Sequence, residues 1–259
     1  MGKSIAIFNQ KGGVGKTTTN INLGACLANK GKKVLIIDID PQGNTTSGLG
    51  VTKKGLGNTT YELLVEKDFK TEKAIMHTGL KNLDMIPASV DLAGAEIELV
   101  QITGREKMLK KALDRVKDKY DFIFIDCPPS LGLLTINSLA AVDSVLIPIQ
   151  CEFYALEGVS QLMGTIELVK KNINPDLTVE GVILSMFDGR TNLSIQVVQE
   201  VKKYFGNKVF STVIPRNVRL AEAPSFGMPI TEYDPKSTGA RAYMEFSEEF
   251  LEREGNYGK

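Results

Sequence analysis

Ser4-Ile5-Ala6-Ile7-Phe8, followed by Asn9-Gln10-Lys11-Gly12-Gly13-Val14-Gly15-Lys16-Thr17-Thr18-Thr19, is the stretch that decides the fold. The first five residues form a short, continuously apolar run, as expected of a strand buried on both faces. From Thr17 to Asn29 the apolar residues Ile21, Leu23, Ala25 and Leu27 fall at helical spacing. A glycine-rich turn therefore joins a buried strand to a helix, the context a phosphate-binding loop requires. Glycines let successive backbone N–H groups turn inward, and the helix N-terminus adds its positive end. The backbone of Gly12, Gly13, Val14 and Gly15 is expected to cradle phosphates. Lys16 reaches the β- and γ-phosphates of a nucleotide, the Thr17 hydroxyl ligates Mg²⁺, and Thr18 closes the α-phosphate side. The usual pattern GxxxxGK[ST] wants glycine at position 10; this chain has Gln10, and a second lysine, Lys11, stands five residues before Lys16.

The unit recurs along the chain. Apolar runs at 34–39, 83–86, 121–125, 144–149, 179–186 and 208–214 alternate with helical stretches near 91–100, 104–118, 131–141, 155–172, 192–206 and 237–253. Such alternation predicts a single α/β domain with a mostly parallel, twisted sheet covered by helices on both faces, and loops gathered at the strand C-termini. The domain is expected to span residues 1–254, with 255–259 as a short tail. Residues 41–60, rich in Gly, Thr and Asn, read as a long functional loop.

Composition narrows the function classes. The chain has 259 residues, 31 Lys+Arg against 31 Asp+Glu, one His and three Cys. Zero formal charge excludes a uniformly basic nucleic-acid coat but permits a basic patch balanced elsewhere. Cys26, Cys127 and Cys151 lack any metal-binding or disulfide spacing and read as small buried hydrophobes. His77 has no visible catalytic partner. No apolar run approaches the length of a membrane span and no signal peptide is evident, so a cytoplasmic protein is expected.

Two strand ends carry carboxylates suited to a metal-nucleotide site. Asp126 closes Phe122-Ile123-Phe124-Ile125 and is placed to hold Mg²⁺ through water. Asp38 and Asp40 sit in Ile37-Asp38-Ile39-Asp40-Pro41, where strand alternation sends both carboxylates to one side, toward the phosphates. Asp40 is the candidate to orient the attacking water, and Asp38 to steady the metal's water shell. The bland alternative is that these residues cap the loops that follow.

KGGVGKTTT at 11–19, VLIIDIDPQGNTTSGLG at 34–50 and FIFIDCPPSLGLLTINSL at 122–139 resemble the deviant Walker A, A′ and B motifs of the ParA/MinD ATPases. IPASVDLAGAEIEL at 86–99, PIQCEFYALEGVSQL at 148–162, RTNLSIQVVQEVKKYFG at 190–206 and VIPRNVRLAEAPSFGMPI at 214–230 resemble the Soj-type ParA partitioning proteins within that superfamily. The resemblance covers essentially the whole chain. It implies ATP and Mg²⁺ as cofactors, slow ATP hydrolysis, and a nucleotide-sandwich homodimer in which Lys11 of one subunit reaches the phosphates of the other. It implies non-specific binding of double-stranded DNA by the ATP-bound dimer, which would place the protein on the nucleoid, and release stimulated by a ParB-type centromere-binding partner. The catalytic set it implies is Lys11, Lys16 and Asp40. It assigns the adenine to Pro215 and Asn217, although Pro215 also reads as a plain strand terminator.

Charge distribution adds a candidate DNA face. Residues 188–244 hold eight basic residues against five acidic ones, whereas 245–259 hold five Glu against Arg253 and Lys259. Arg190 and Arg219 match the family's DNA-binding arginines; Lys202, Lys203 and Lys236 are further phosphate contacts. For any one of them a solvated face is the alternative. A membrane-cycling ATPase of the MinD kind would need a basic amphipathic C-terminal helix, and the acidic end Phe246–Gly255 argues against stable membrane association. An ATP-gated scaffold acting on a protein or membrane target rather than DNA is the remaining rival.

Overall fold

The computed structural model describes residues 2–152 and 155–257. Eight strands form one sheet: β1 (Lys3–Ile7), β2 (Val34–Asp38), β3 (Met76–His77), β4 (Leu83–Ile86), β5 (Phe122–Asp126), β6 (Ser144–Gln150), β7 (Thr178–Phe187) and β8 (Val209–Pro215). Their order is β3-β4-β2-β5-β1-β6-β7-β8. All neighbours are parallel except the two-residue edge strand β3, which runs antiparallel to β4.

Strand alternation distributes the core to both faces, as a parallel sheet demands. Ile5, Ile7, Val34, Ile36, Phe122 and Phe124 point to one side, into the cluster that contains α1 (Lys16–Asn29) and α11 (Thr238–Tyr257). Ala6, Phe8, Leu35, Ile37, Ile123 and Ile125 point to the other, beneath α3 (Thr60–Val65), α4 (Leu92–Leu99), α5 (Met108–Leu113), α6 (Leu133–Ala141), α7 (Ala155–Asn172) and α8 (Asn192–Phe205). Three short helices complete the set: α2 (Asn44–Gly48), α9 (Val218–Glu222) and α10 (Ile230–Tyr233).

The acidic C-terminal helix is anchored rather than free. Phe246 and Phe250 are fully buried, with edge contacts from Phe246 to Phe210 and from Phe250 to Phe122. Glu249 accepts the backbone N–H groups of Ser211 and Thr212 at 2.7 and 2.8 Å, and Glu254 pairs with Lys3. The helix runs on to Tyr257, so the tail expected from 255 continues it as far as that residue; Gly258 and Lys259 lie outside the described residues. Among the described residues no helix is long and apolar enough to cross a membrane.

The predicted helix over 104–118 contracts to α5, flanked by single turns, because the backbone leaves helical geometry at Lys107 and again at Val116. The loop expected over 41–60 carries α2, and α3 begins at Thr60, capped by Thr59 with Glu62 in a reciprocal capping box.

Candidate functional site

The C-terminal ends of β1, β2, β5, β7 and β8 converge on one edge of the sheet. The turn after β1 wraps tightly: Gly13 and Gly15 adopt left-handed φ of 73° and 92°, and Gly15 caps α1 without a side chain, leaving the helix N–H groups directed at the loop. Lys16 is buried, and its Nζ donates to the Lys11 carbonyl at 3.0 Å across the loop. Burial lowers its pKa, opposed by the nearby Asp126, Cys127 and Asp40. Gly12, Gly13, Gly15, Lys16, Thr17 and Thr18 line a cavity of about 400 Å³ shared with Asp40, Gln42, Asn44, Pro129 and Met186. Val14 is buried at 1% exposure, so only its backbone serves the loop.

Lys11 turns toward its own chain. Its ammonium pairs with Glu152, which follows β6, while its backbone N–H donates to Asn9 Oδ1 at 3.0 Å.

The carboxylates separate into different roles. Asp126 Oδ2 accepts the Thr17 hydroxyl at 2.7 Å and the Thr45 hydroxyl at 2.8 Å, while its Oδ1 is buried without a hydrogen-bond partner among the described residues. Asp40 lines the cavity, with Oδ1 held by the Gln42 N–H at 2.9 Å. Asp38 departs from the expected common face. It is fully buried at the end of β2, in register with Asp126 on β5. Its Oδ2 accepts the Thr46 N–H and hydroxyl, both at 2.7 Å, and its Oδ1 accepts the Asp40 N–H at 3.2 Å. The strand ends at Asp38 and a turn closes from the Gly43 N–H to the Asp40 carbonyl at 2.8 Å, so strand alternation does not extend to Asp40. Asp38 thus positions α2 and the Asp40 backbone rather than facing the cavity. Burial, and the charge of Asp126, push the Asp38 carboxyl well above the usual carboxylate range; burial does the same to Asp126, against the Thr17 and Thr45 hydrogen bonds.

A partnerless buried oxygen beside two hydroxyls is an all-oxygen donor set of the kind Mg²⁺ prefers. With a lysine and a helix N-terminus facing the same cavity, the residues present fit a magnesium nucleotide.

A second cavity of about 320 Å³ adjoins the first, sharing Gly15, Thr18 and Met186. Ile214, Pro215, Val218, Leu220, Ala221 and Tyr243 give it apolar walls of a size suited to a purine. Pro215 and Asn217 both line it, but Asn217 is also the N-cap of α9: its Oδ1 accepts the Arg219 N–H at 2.7 Å and its Nδ2 donates to Thr238 Oγ1 at 2.6 Å. Sequence reading missed Ser185 and Met186 at the end of β7, and Thr45. Met186 holds a left-handed φ of 52° between the two cavities. For Thr45 a signal existed, the Asn44-Thr45-Thr46 run in the suspected functional loop; for Ser185 and Met186 there was none, because their place depends on the strand order.

The comparisons with known proteins agree with this geometry. A sequence-family profile described as an AAA domain matches residues 2–179. The chain is 63% identical over 249 residues to the sporulation initiation inhibitor protein Soj of Bacillus subtilis, covering 96% of this chain and 98% of Soj. It is 54% identical over 254 residues to the chromosome partitioning protein ParA of Myxococcus xanthus, covering 98% and 89%. The chain belongs to the ParA/Soj family of ATPases. Its fold is similar to that of cobyrinic acid a,c-diamide synthase from Mycobacterium smegmatis, solved with bound ADP and magnesium, at a TM-score of 0.86, 39% identity and coverage of 100% of this chain and 97% of that one.

On this ParA/Soj scaffold the five candidate DNA cations are exposed, and three carry a carboxylate partner. Arg190 pairs with Asp188 at 2.7 Å, Arg219 with Glu222 at 2.8 Å, and Lys203 with Glu200. Lys202 sits beside Lys203 on α8, and Lys236 precedes α11.

Proposed function

We propose that the protein is a DNA-partitioning ATPase: it binds ATP with Mg²⁺, dimerises around the nucleotide, grips DNA non-specifically in that state, and lets go on hydrolysis, which a ParB-type partner accelerates. The observation that carries this reading is the joined pair of cavities. One is walled by the lysine-bearing loop and Asp40, the other by apolar residues of β8 and α9, and Arg219 projects from that same α9.

Each residue has a physical role. Lys16 and the N–H groups of Gly12, Gly13, Gly15, Thr17 and Thr18 bind and orient the phosphates in a cavity that lowers the local dielectric and strengthens their pull. Thr17 and Asp126 hold the metal, with Asp38 acting on Asp40 and α2 from behind. The nucleotide supplies the phosphoanhydride bond, and the metal offsets its charge. Asp40 orients the attacking water through its carboxylate. Pro215 and Asn217 wall the base. Lys11, once it leaves Glu152, adds a cation to the site of a second protomer, which makes dimerisation depend on nucleotide. Arg190, Lys202, Lys203, Arg219 and Lys236 contact phosphates of duplex DNA, and two protomers double those contacts. The protein acts in the cytoplasm, at the nucleoid when ATP-bound.

The test is sedimentation with ATP, ADP and no nucleotide for wild type and Lys11→Ala. A dimer formed only with ATP, and lost in Lys11→Ala at retained ATP binding, supports the sandwich. A dimer indifferent to nucleotide or to Lys11 sinks it.

A further inference from the structure

Arg190 is presented to solvent already holding a substitute for phosphate. Its side chain is 89% exposed, whereas Asp188 beneath it is 24% exposed. The guanidinium meets the carboxylate as a fork: Nε donates to Oδ1 at 2.9 Å and Nη2 to Oδ2 at 2.7 Å. The Arg190 backbone N–H donates to the same Oδ1 at 3.1 Å, and the Thr191 N–H to the Asp188 carbonyl, also at 3.1 Å. The turn therefore fixes the carboxylate before α8 begins at Asn192, capped by Thr191. A phosphodiester offers two oxygens with the same bidentate demand, so phosphate and Asp188 compete for one face of one guanidinium.

Resting on the DNA-binding reading above, we propose that Asp188 is a built-in competitor for the DNA phosphate at Arg190 and sets how tightly the protein holds DNA. The carboxylate keeps the fork extended and oriented while lowering its net attraction. Arg190 must exchange partners to bind, and the exchange is favourable where a second cation or a second protomer strengthens the phosphate side. The held carboxylate is a strong one: hydrogen bonds from Arg190 push Asp188 down to about 2. Asp188 follows Met186 by two residues, and Met186 lines both cavities, so the competitor sits just beyond the segment that walls them. Arg219 is also held by carboxylates, though not as a fork: Nη1 donates to Glu222 Oε2 at 2.8 Å, and Nε lies 3.6 Å from Asp234 Oδ2.

The experiment is DNA retention with ATP across a salt series for wild type, Asp188→Asn, Arg190→Gln and the double variant. Asn keeps an oxygen for the turn's backbone N–H, and Asp188→Ser serves as a second replacement should Asn disturb the fold. The expected result is retention roughly two- to fivefold tighter in Asp188→Asn, the scale of one exposed ion pair removed as a competitor. Arg190→Gln should weaken retention, and the double variant should match Arg190→Gln. An equal gain from Asp188→Asn in the Arg190→Gln background would show a general charge effect and overturn the proposal. Unchanged or weaker binding by both Asp188 variants would make Asp188 a support for Arg190 and overturn it too. Absence of ATP-dependent retention in wild type at low salt would instead remove the DNA reading, and this proposal with it.

Discussion

Ser185 on β7 donates its hydroxyl to the Val14 carbonyl at 2.7 Å, tying the phosphate loop to a strand 171 residues away in sequence. The same residue's carbonyl accepts the Cys151 N–H at 3.1 Å, next to the Glu152 that pairs with Lys11. The loop's shape is thus set partly by the strand beside it. Ser185→Ala should loosen the loop by about 1 kcal/mol, the net worth of one such bond. Steady-state kinetics should show KM for ATP raised severalfold with kcat changed less, and Ser185→Thr should restore part of the loss. An unchanged KM would mean the glycines hold the loop unaided.

Lys16→Ala removes the buried ammonium that faces the phosphate cavity. ATP hydrolysis should fall at least about 100-fold, the scale of losing one preorganised charge at a reacting centre. ATP binding followed by equilibrium dialysis should weaken in parallel, while the melting temperature without nucleotide changes little.

The buried acids make stability depend on pH. Asp126 is pushed up to about 6 and Asp38 to about 7, above the unfolded values near 4, so the native state binds more protons than the unfolded state between those limits. Their contribution is therefore most favourable near pH 4 and declines as pH rises through 6 to 7. Asp126→Asn keeps an acceptor for Thr17 and Thr45 and removes the charge. Without metal it should raise the melting temperature at pH 8 by a few degrees, with a smaller gain at pH 5, and it should abolish Mg²⁺-dependent turnover. A variant less stable than wild type at pH 8 would contradict the assigned cause.

Gly227 sits at φ 66°, and a Cβ there would lie 2.6 Å from the Gly50 Cα. Backbone against backbone leaves no side chain to yield, so Gly227→Ala should cost about 2–3 kcal/mol through the left-handed conformation and the clash. Thermal unfolding would show it.

The strand–loop–helix reading from Ser4 to Asn29, the alternating parallel architecture and the placement of Asp126 at a strand end and Asp40 just past one, beside the loop, were legible because local sequence decides them: continuous apolar runs, glycines and a trailing Lys-Thr pair. What was not legible depends on which strands become neighbours. Ser185 and Met186 reach the site only because β7 lies next to β6 on the side of β1 opposite β5. Asp38 read like Asp40 because alternation was carried past the strand's true end. The stretch from 104 to 118 has enough apolar residues for one helix, but its backbone leaves helical geometry at Lys107 and Val116, which divides it into α5 and two single turns. The carboxylates paired with Arg190 and Arg219 were counted as charge along the chain, and only their geometry shows them as partners.

The most direct test of a nucleotide-gated DNA grip is retention of duplex DNA across a salt series by wild type and Asp40→Ala, each with ATP, ADP and no nucleotide. The expected result is retention with ATP alone, falling steeply with salt. It should outlast ATP depletion in Asp40→Ala and be lost in Arg219→Glu. ATP-dependent dimers that hold no DNA at low salt, or an Asp40→Ala protein as inert as Lys16→Ala, would contradict it.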